Sequence, residues 1–130
     1  MGNVLWRETQ PHFVDFDDAR TGPAIQDLWM LLSGPVEEQI SQWQAIMRGY
    51  RALRDFDSSE LQLIEPLRTL RLIHHAAWVS QRWEEPAFQR AFSFIGSEKF
   101  WSEHILALRE QLGELSAGPS ALTDQLRWVT

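Results

Sequence analysis

Hydrophobic and polar positions alternate at the start of the chain, then switch to a helical spacing that persists to its end. Val4 to Arg7 and His12 to Phe16 read as two short strands, with Glu8-Thr9-Gln10-Pro11 as a hairpin loop closed by Pro11. Along the second strand His12, Val14 and Phe16 fall on one face, Phe13 and Asp15 on the other. A lone two-stranded ribbon is unstable in water, so this pattern predicts that the hairpin lies against helices.

Thr21-Gly22-Pro23 is a helix entry with Pro23 at the first helical position, and Gly34-Pro35 is an exit. Between them Ile25, Leu28, Trp29, Met30, Leu31 and Leu32 make the helix apolar nearly all round, which predicts a buried helix carrying Asp27. A second helix runs from about Val36 to Leu53, with Val36, Ile40, Trp43, Met47 and Tyr50 on one stripe. Glu37 and Glu38 in its first turn, and Arg48, Arg51 and Arg54 at its end, complement the helix dipole.

Asp57-Ser58-Ser59-Glu60 resembles a capping box for a long helix to about Trp83, with Pro66 either kinking it or marking a separate first turn. Glu84-Glu85-Pro86 ends that helix, and Phe88 to Phe94 is a short aromatic connection. Ser97 caps a last strong helix with a buried stripe of Trp101, Ile105, Leu108, Leu112 and Leu115. Residues 116–130 read as a loosely specified tail. The fold class is therefore mainly α, a short N-terminal β-hairpin packed on about four to six helices, with no internal repeat.

Composition narrows the function classes. The chain has 130 residues and a net charge of −6, which argues against nucleic acid or an anionic membrane as a partner. It has no cysteine, so disulfides, thiolate chemistry and cysteine zinc sites are excluded. The longest apolar run, Leu28 to Leu32, is too short for a membrane span or signal-peptide core, and a cytoplasmic protein is expected. The only lysine is Lys99, a single candidate for any chemistry that needs one.

Asn3, Asp15 and Asp27 are the residues with chemical potential. An amide oxygen and a carboxylate brought together across a hairpin are the hard ligands Mg²⁺ prefers. From spacing alone the favoured reading of these residues is a turn asparagine and a strand-end aspartate capping backbone amides. A carboxylate on an apolar helix, as at Asp27, needs strong donors, and a neighbouring loop backbone could supply them. Asp17 and Asp18 read as turn caps and Arg20 as their salt-bridge partner. Arg68, Arg71, His75 and Arg82 share a helix face that reads as solvated, with an anion or acidic peptide as the alternative occupant. His74 falls on the Leu67, Leu70, Ala77 stripe and reads as a core histidine, and most of the seven tryptophans read as core and interface fillers.

Three stretches, "GNVLWR…HFVDFDDARTGPAIQDLWMLL", "LIEPLRTLRLIHHAAW" and "ILALREQL", occur in an order that resembles the C-terminal lobe of the stress response kinase A family. These are bacterial Ser/Thr protein kinases of the aminoglycoside phosphotransferase and choline kinase-like superfamily. The resemblance spans residues 1–115 and implies a kinase-like C-lobe that starts inside the catalytic loop, His-Gly-Asp-x-His-Pro-Gly-Asn, with Gly2-Asn3 as its last two residues. It implies that Asn3 and Asp15 hold Mg²⁺ on the phosphates of ATP, and that Asp27 anchors the catalytic loop.

The family's catalytic base aspartate, glycine-rich loop and phosphate-pairing lysine have no counterpart in these 130 residues, and Lys99 opens a helix instead. The resemblance thus implies an N-terminally truncated chain without phosphotransfer activity of its own, its partner a missing N-lobe or a second copy, and a protein substrate for the complete kinase. The alternative is a non-enzymatic helical oligomerisation or interaction module.

Overall fold

The computed structural model describes residues 3–17 and 19–130. Two antiparallel strands, β1 (Val4–Arg7) and β2 (Gln10–Phe13), open the chain, with Arg7 opposite Gln10, Trp6 opposite Pro11, Leu5 opposite His12 and Val4 opposite Phe13. The turn is only Glu8-Thr9, with Glu8 in the left-handed region at φ 56°, so Gln10 and Pro11 belong to the strand rather than to the expected longer loop. Pro11 is tolerated because alternate residues of a ribbon point their N–H away from the partner strand. The Val14 N–H donates to the Asn3 carbonyl at 3.1 Å, which extends the ladder one pair and fixes that alternation. The strand stops at Phe13 instead of Phe16, and Asp15, left-handed at φ 66°, cannot continue it.

Six α-helices follow among the described residues: α1 (Ile25–Leu28), α2 (Val36–Arg51), α3 (Ile64–Gln81), α4 (Pro86–Ala91), α5 (Glu98–Ala117) and α6 (Ala121–Trp128). The fold is mainly α, as the pattern predicts. The hairpin is nevertheless covered little by the helices: Trp6 is 68% and Phe13 64% exposed. With four residues a strand, it has a continuous backbone ladder but little apolar area to set against anything.

The first helix is shorter and more open than its composition predicts. One α-turn gives way to a 3-10 turn over Trp29–Leu31. The tighter winding swings successive side chains off the α-helical stripe. Ile25 is fully buried, Met30 and Leu31 are partly exposed, and Asp27 is exposed. The start of α1 is held from a distance, the Ile25 N–H donating to Glu60 Oε2 at 3.0 Å. Glu60 therefore serves another helix rather than closing the capping box on its own.

Asp57 does cap its segment, accepting from the Ser59 N–H at 2.9 Å. Ser59, through its hydroxyl and then its N–H, holds the Asp57 carboxyl below its usual 3.8. A 3-10 turn over Ser58–Leu63 then leads into α3, so Pro66 sits in the first turn of a separate helix, where a missing N–H costs nothing. Gly34 provides the exit before α2 at φ 84°, and a Cβ there would meet Glu38 Oε2 at 2.7 Å.

The main core gathers Ile25, Trp43, Met47, Phe56, Leu61, Ile64 and Leu126. Phe56 stands edge-on to Trp43, ring centroids 5.4 Å apart, and edge-on to Tyr50. Residues 116–130, expected to be a loose tail, carry α6, whose Leu126 and Thr123 are buried. Ser120 caps it, and Thr130 Oγ1 accepts from the Trp43 indole N–H at 2.9 Å. The last residues thus close the core from α2's side.

Helix α5 also presents a different face from the one expected. Gln111 is its buried residue, while Ile105 and Leu112 are exposed and Trp101 and Leu115 partly so. The reason is polar: Gln111 Nε2 donates to Glu65 Oε2 at 2.7 Å, across from α3. Arg68 closes the same carboxylate with Nη1 at 3.1 Å from both oxygens, its guanidinium lying over the Trp29 ring. Satisfying a buried carboxylate outweighs burying a few more leucines, because an unpaired buried charge costs several kcal/mol.

Two outcomes follow for stability. Leu126→Ala should destabilise the chain by about 2–5 kcal/mol, whereas Trp128→Ala, at an 89% exposed site, should change it by less than about 0.5 kcal/mol, both read from urea midpoints. Gln111→Leu should cost about 1–3 kcal/mol by leaving the Glu65 carboxylate under-bonded, and Glu65→Leu added to it should restore part of that loss.

Candidate functional site

The hairpin and the turn after it place the candidate ligands. Asn3 immediately precedes β1, and Asp15 follows β2 by two residues, so the ladder carries the two side chains to the same end of the ribbon. Asn3 Nδ2 donates to Asp15 Oδ2 at 3.1 Å, twelve positions apart in sequence. That bond leaves the amide oxygen of Asn3 and the second carboxylate oxygen of Asp15 available, both on exposed residues. Asp15 holds the left-handed conformation at φ 66° that short polar side chains tolerate best. Sparsely populated backbone of this kind gathers at functional sites.

Among the described residues no three His, Cys, Asp or Glu side chains converge as a metal cage. Two oxygen ligands are nonetheless the usual protein contribution to Mg²⁺, which keeps waters and phosphates for its other positions. The donor set at Asn3 and Asp15 therefore fits that ion by chemistry and number.

The other sequence candidates are distributed differently. Asp27 lies on the exposed side of α1, its carboxylate making no hydrogen bond to any described residue. Asp17 is exposed beside a turn in which the Ala19 N–H donates to the Phe16 carbonyl, and Asp18 lies outside the described residues. Arg20 donates to the Ala19 carbonyl at 2.9 Å. The α3 basic face is largely committed internally: Arg68 to Glu65, Arg82 over the Trp78 ring at 4.9 Å, and His75 against Phe92. His74, expected in the core, is exposed, because Leu70 and Ala77 on its stripe face outward too.

Glu65 and Gln111, which position α5, fell in no motif, and Glu60, which positions α1, was read only as the end of a capping box. Their only sequence signals are a glutamate at the end of a capping box and two polar side chains set among leucines.

The model of the phosphotransferase enzyme family matches residues 1–64 of the chain, the hairpin and the first two helices included. Over 94% of its length the chain is similar to proteins named stress response kinase A. It is 47% identical over 122 residues to stress response kinase A of Escherichia coli O157:H7 and to that of Salmonella choleraesuis. It is equally similar to the Salmonella typhimurium protein named serine/threonine protein kinase RdoA. The chain spans 37% of the length of these relatives. No solved structure matches it. No helix among the described residues is long and apolar enough to cross a membrane.

The left-handed turn at Asp15 can be checked directly. Asp15→Val, a β-branched residue in that region, should strain the backbone by about 1–2 kcal/mol and speed hydrogen exchange at the Val14 amide. Asp15→Asn should leave that amide as protected as before.

Proposed function

We propose that this chain is the C-lobe portion of an ATP- and Mg²⁺-dependent Ser/Thr protein kinase of the stress response kinase A type, and that these 130 residues alone transfer no phosphate. The observation that carries the reading is the Asn3–Asp15 pair, an amide and a carboxylate joined at 3.1 Å across the hairpin. The similarity to stress response kinase A over 94% of the chain supports it.

In this reading the Asn3 amide oxygen and an Asp15 carboxylate oxygen would hold the ion. Mg²⁺, when bound, neutralises charge on the phosphates of ATP. Asn3 also donates to Asp15, which fixes the carboxylate's rotation before any ion arrives. The left-handed backbone at Asp15 ends the strand there and turns the chain toward α1. Asp27, whose exposed carboxylate is unbonded among the described residues, is the acceptor for catalytic-loop backbone N–H groups in the complete site.

Inactivity of the chain alone follows from what it lacks in sequence. A catalytic aspartate, a glycine-rich loop and a lysine on the phosphates supply most of the positioning in phosphoryl transfer, and Lys99 lies at the start of α5 instead. The complete kinase acts on a protein substrate in the cytoplasm, with an N-lobe completing the ATP site.

A second reading, a non-enzymatic interaction module, is favoured by one observation. Leu70 and Ile73 on α3, and Ile105 and Leu112 on α5, are large apolar side chains left about half exposed or more.

Calorimetric titration of Mg·ATP into the purified chain, with Asp15→Asn alongside, separates these ideas. The expected result is weak binding that falls at least about ten-fold in the variant. Equal binding to both proteins, or none to either, overturns the metal half-site. Phosphorylation of a protein substrate by the chain alone overturns the inactivity.

A further inference from the structure

The β-hairpin has two outer edges, and they are not equivalent. Leu5 and Arg7 pair with His12 and Gln10, and Asn3 accepts from Val14, so these residues turn their backbone groups inward. Val4 and Trp6 on β1, and Pro11 and Phe13 on β2, therefore turn theirs outward. On β2 the proline removes one of the two outward N–H groups, a common way of blunting an edge. On β1 nothing is removed, and no further strand pairs with it among the described residues.

The same register sorts the side chains. Opposed residues of an antiparallel pair project to one face, so Val4, Trp6, Pro11 and Phe13 form an apolar face, and Asn3, Leu5, Arg7 and His12 lie on the other. Trp6 and Phe13 are among the most exposed large side chains of the protein. A two-stranded ribbon with one open edge and one bare apolar face is doubled in strands and in apolar area by a copy of itself.

We propose that the chain self-associates by antiparallel, two-fold pairing of β1 with β1 of a second copy, forming a four-stranded sheet. Centring the two-fold on Leu5 sets Val4 opposite Trp6 of the second copy and Trp6 opposite its Val4. Each such pair then exchanges both of its outward backbone bonds, which no other register of these residues achieves. The apolar faces join across the new pairing without a break.

Charge complementarity selects the same register. Asn3 comes to lie opposite Arg7 of the second copy, on the same face, and Asn3 is already hydrogen-bonded to the Asp15 carboxylate. The guanidinium thus arrives beside the carboxylate that the single copy leaves without a cation among the described residues. Each copy then contributes an arginine to the other's Asn3–Asp15 pair, at both ends of a closed, isologous interface. This inference rests on the hairpin's register and not on the metal reading, so either can fail without the other.

The interface is one strand edge and a few side chains, below the size of stable complexes, and each copy carries a net charge of −6. A dissociation constant on the order of 0.1 mM is therefore expected. Sedimentation equilibrium of the full chain to about 1 mM should show a monomer–dimer equilibrium that Trp6→Pro abolishes. Arg7→Ala and Asp15→Asn should each weaken it about three- to ten-fold, and the double variant no more than either alone.

Because the chain has no cysteine, a single Leu5→Cys reports the two-fold directly. Opposed residues there have Cα atoms about 4.5 Å apart, inside the roughly 4.4–6.8 Å range that a disulfide spans. Mild oxidation should cross-link Leu5→Cys at least about ten-fold faster than Leu53→Cys, a 92% exposed control site. A strict monomer at the highest concentration, a dimer indifferent to Trp6→Pro, or equal cross-linking at the two sites would each overturn the proposal.

Discussion

One buried carboxylate decides how this protein is assembled. Glu65 sits at the start of α3, almost out of contact with water, and takes its hydrogen bonds from Arg68 on its own helix and Gln111 on α5. Its carbonyl also accepts from Thr69. Because a charge so placed must be bonded, α5 is fixed in rotation by Gln111 and not by its leucines. Arg68, drawn down to the carboxylate, lies over Trp29 and so reaches the segment that follows α1. A single polar cluster thus connects α3, α5 and the segment that follows α1. Hydrophobic contact is permissive about rotation, whereas a two-point hydrogen bond is not.

That distinction explains which parts of the fold could be read from the sequence. Helix α2 was legible nearly to the residue, since Ile40, Trp43 and Met47 recur at helical spacing between a Gly-Pro stop and an arginine-rich end. Helix α5 was legible as a helix but not in its orientation. Apolar periodicity nominated the Trp101, Ile105 and Leu112 stripe, and a glutamine outside that stripe turned out to make the buried contact. Helix α6 was missed because it is eight residues long and sits among glycine, serine and threonine. Its signals were modest: a serine cap, then Leu122, Leu126 and Val129 at helical spacing.

The candidate site shows the converse case. Spacing alone favoured Asn3 and Asp15 as backbone caps, and only the resemblance to a kinase family turned the reading toward ligands. The hairpin register brings the two side chains together because the turn is two residues long, not four. Adding the one left-handed residue after β2 produces a carboxylate oriented by an amide, which neither periodicity nor composition encodes. Asp27 was chosen for being a carboxylate in an apolar helix, but it lies on the exposed side of the single α-turn of α1, opposite the buried Ile25.

The same few residues also set the hairpin apart from the helical body. A ribbon this short cannot pay for its own order with buried area, so its apolar face and open edge persist in the folded chain. The helical body, in contrast, closes its core with its last residues, through Leu126 and the Trp43–Thr130 bond. The buried core therefore resides in the helices, whereas the ribbon carries the exposed Asn3–Asp15 pair and an open strand edge. In the functional readings proposed above, such a division would let the ribbon take a nucleotide, an N-lobe or a second copy without unfolding the body that carries it. In the proposed pairing of two copies the interface would consist of a handful of edge bonds and one arginine–carboxylate contact, each worth roughly 1 kcal/mol. Interactions of that size favour reversible occupancy over a permanent interface.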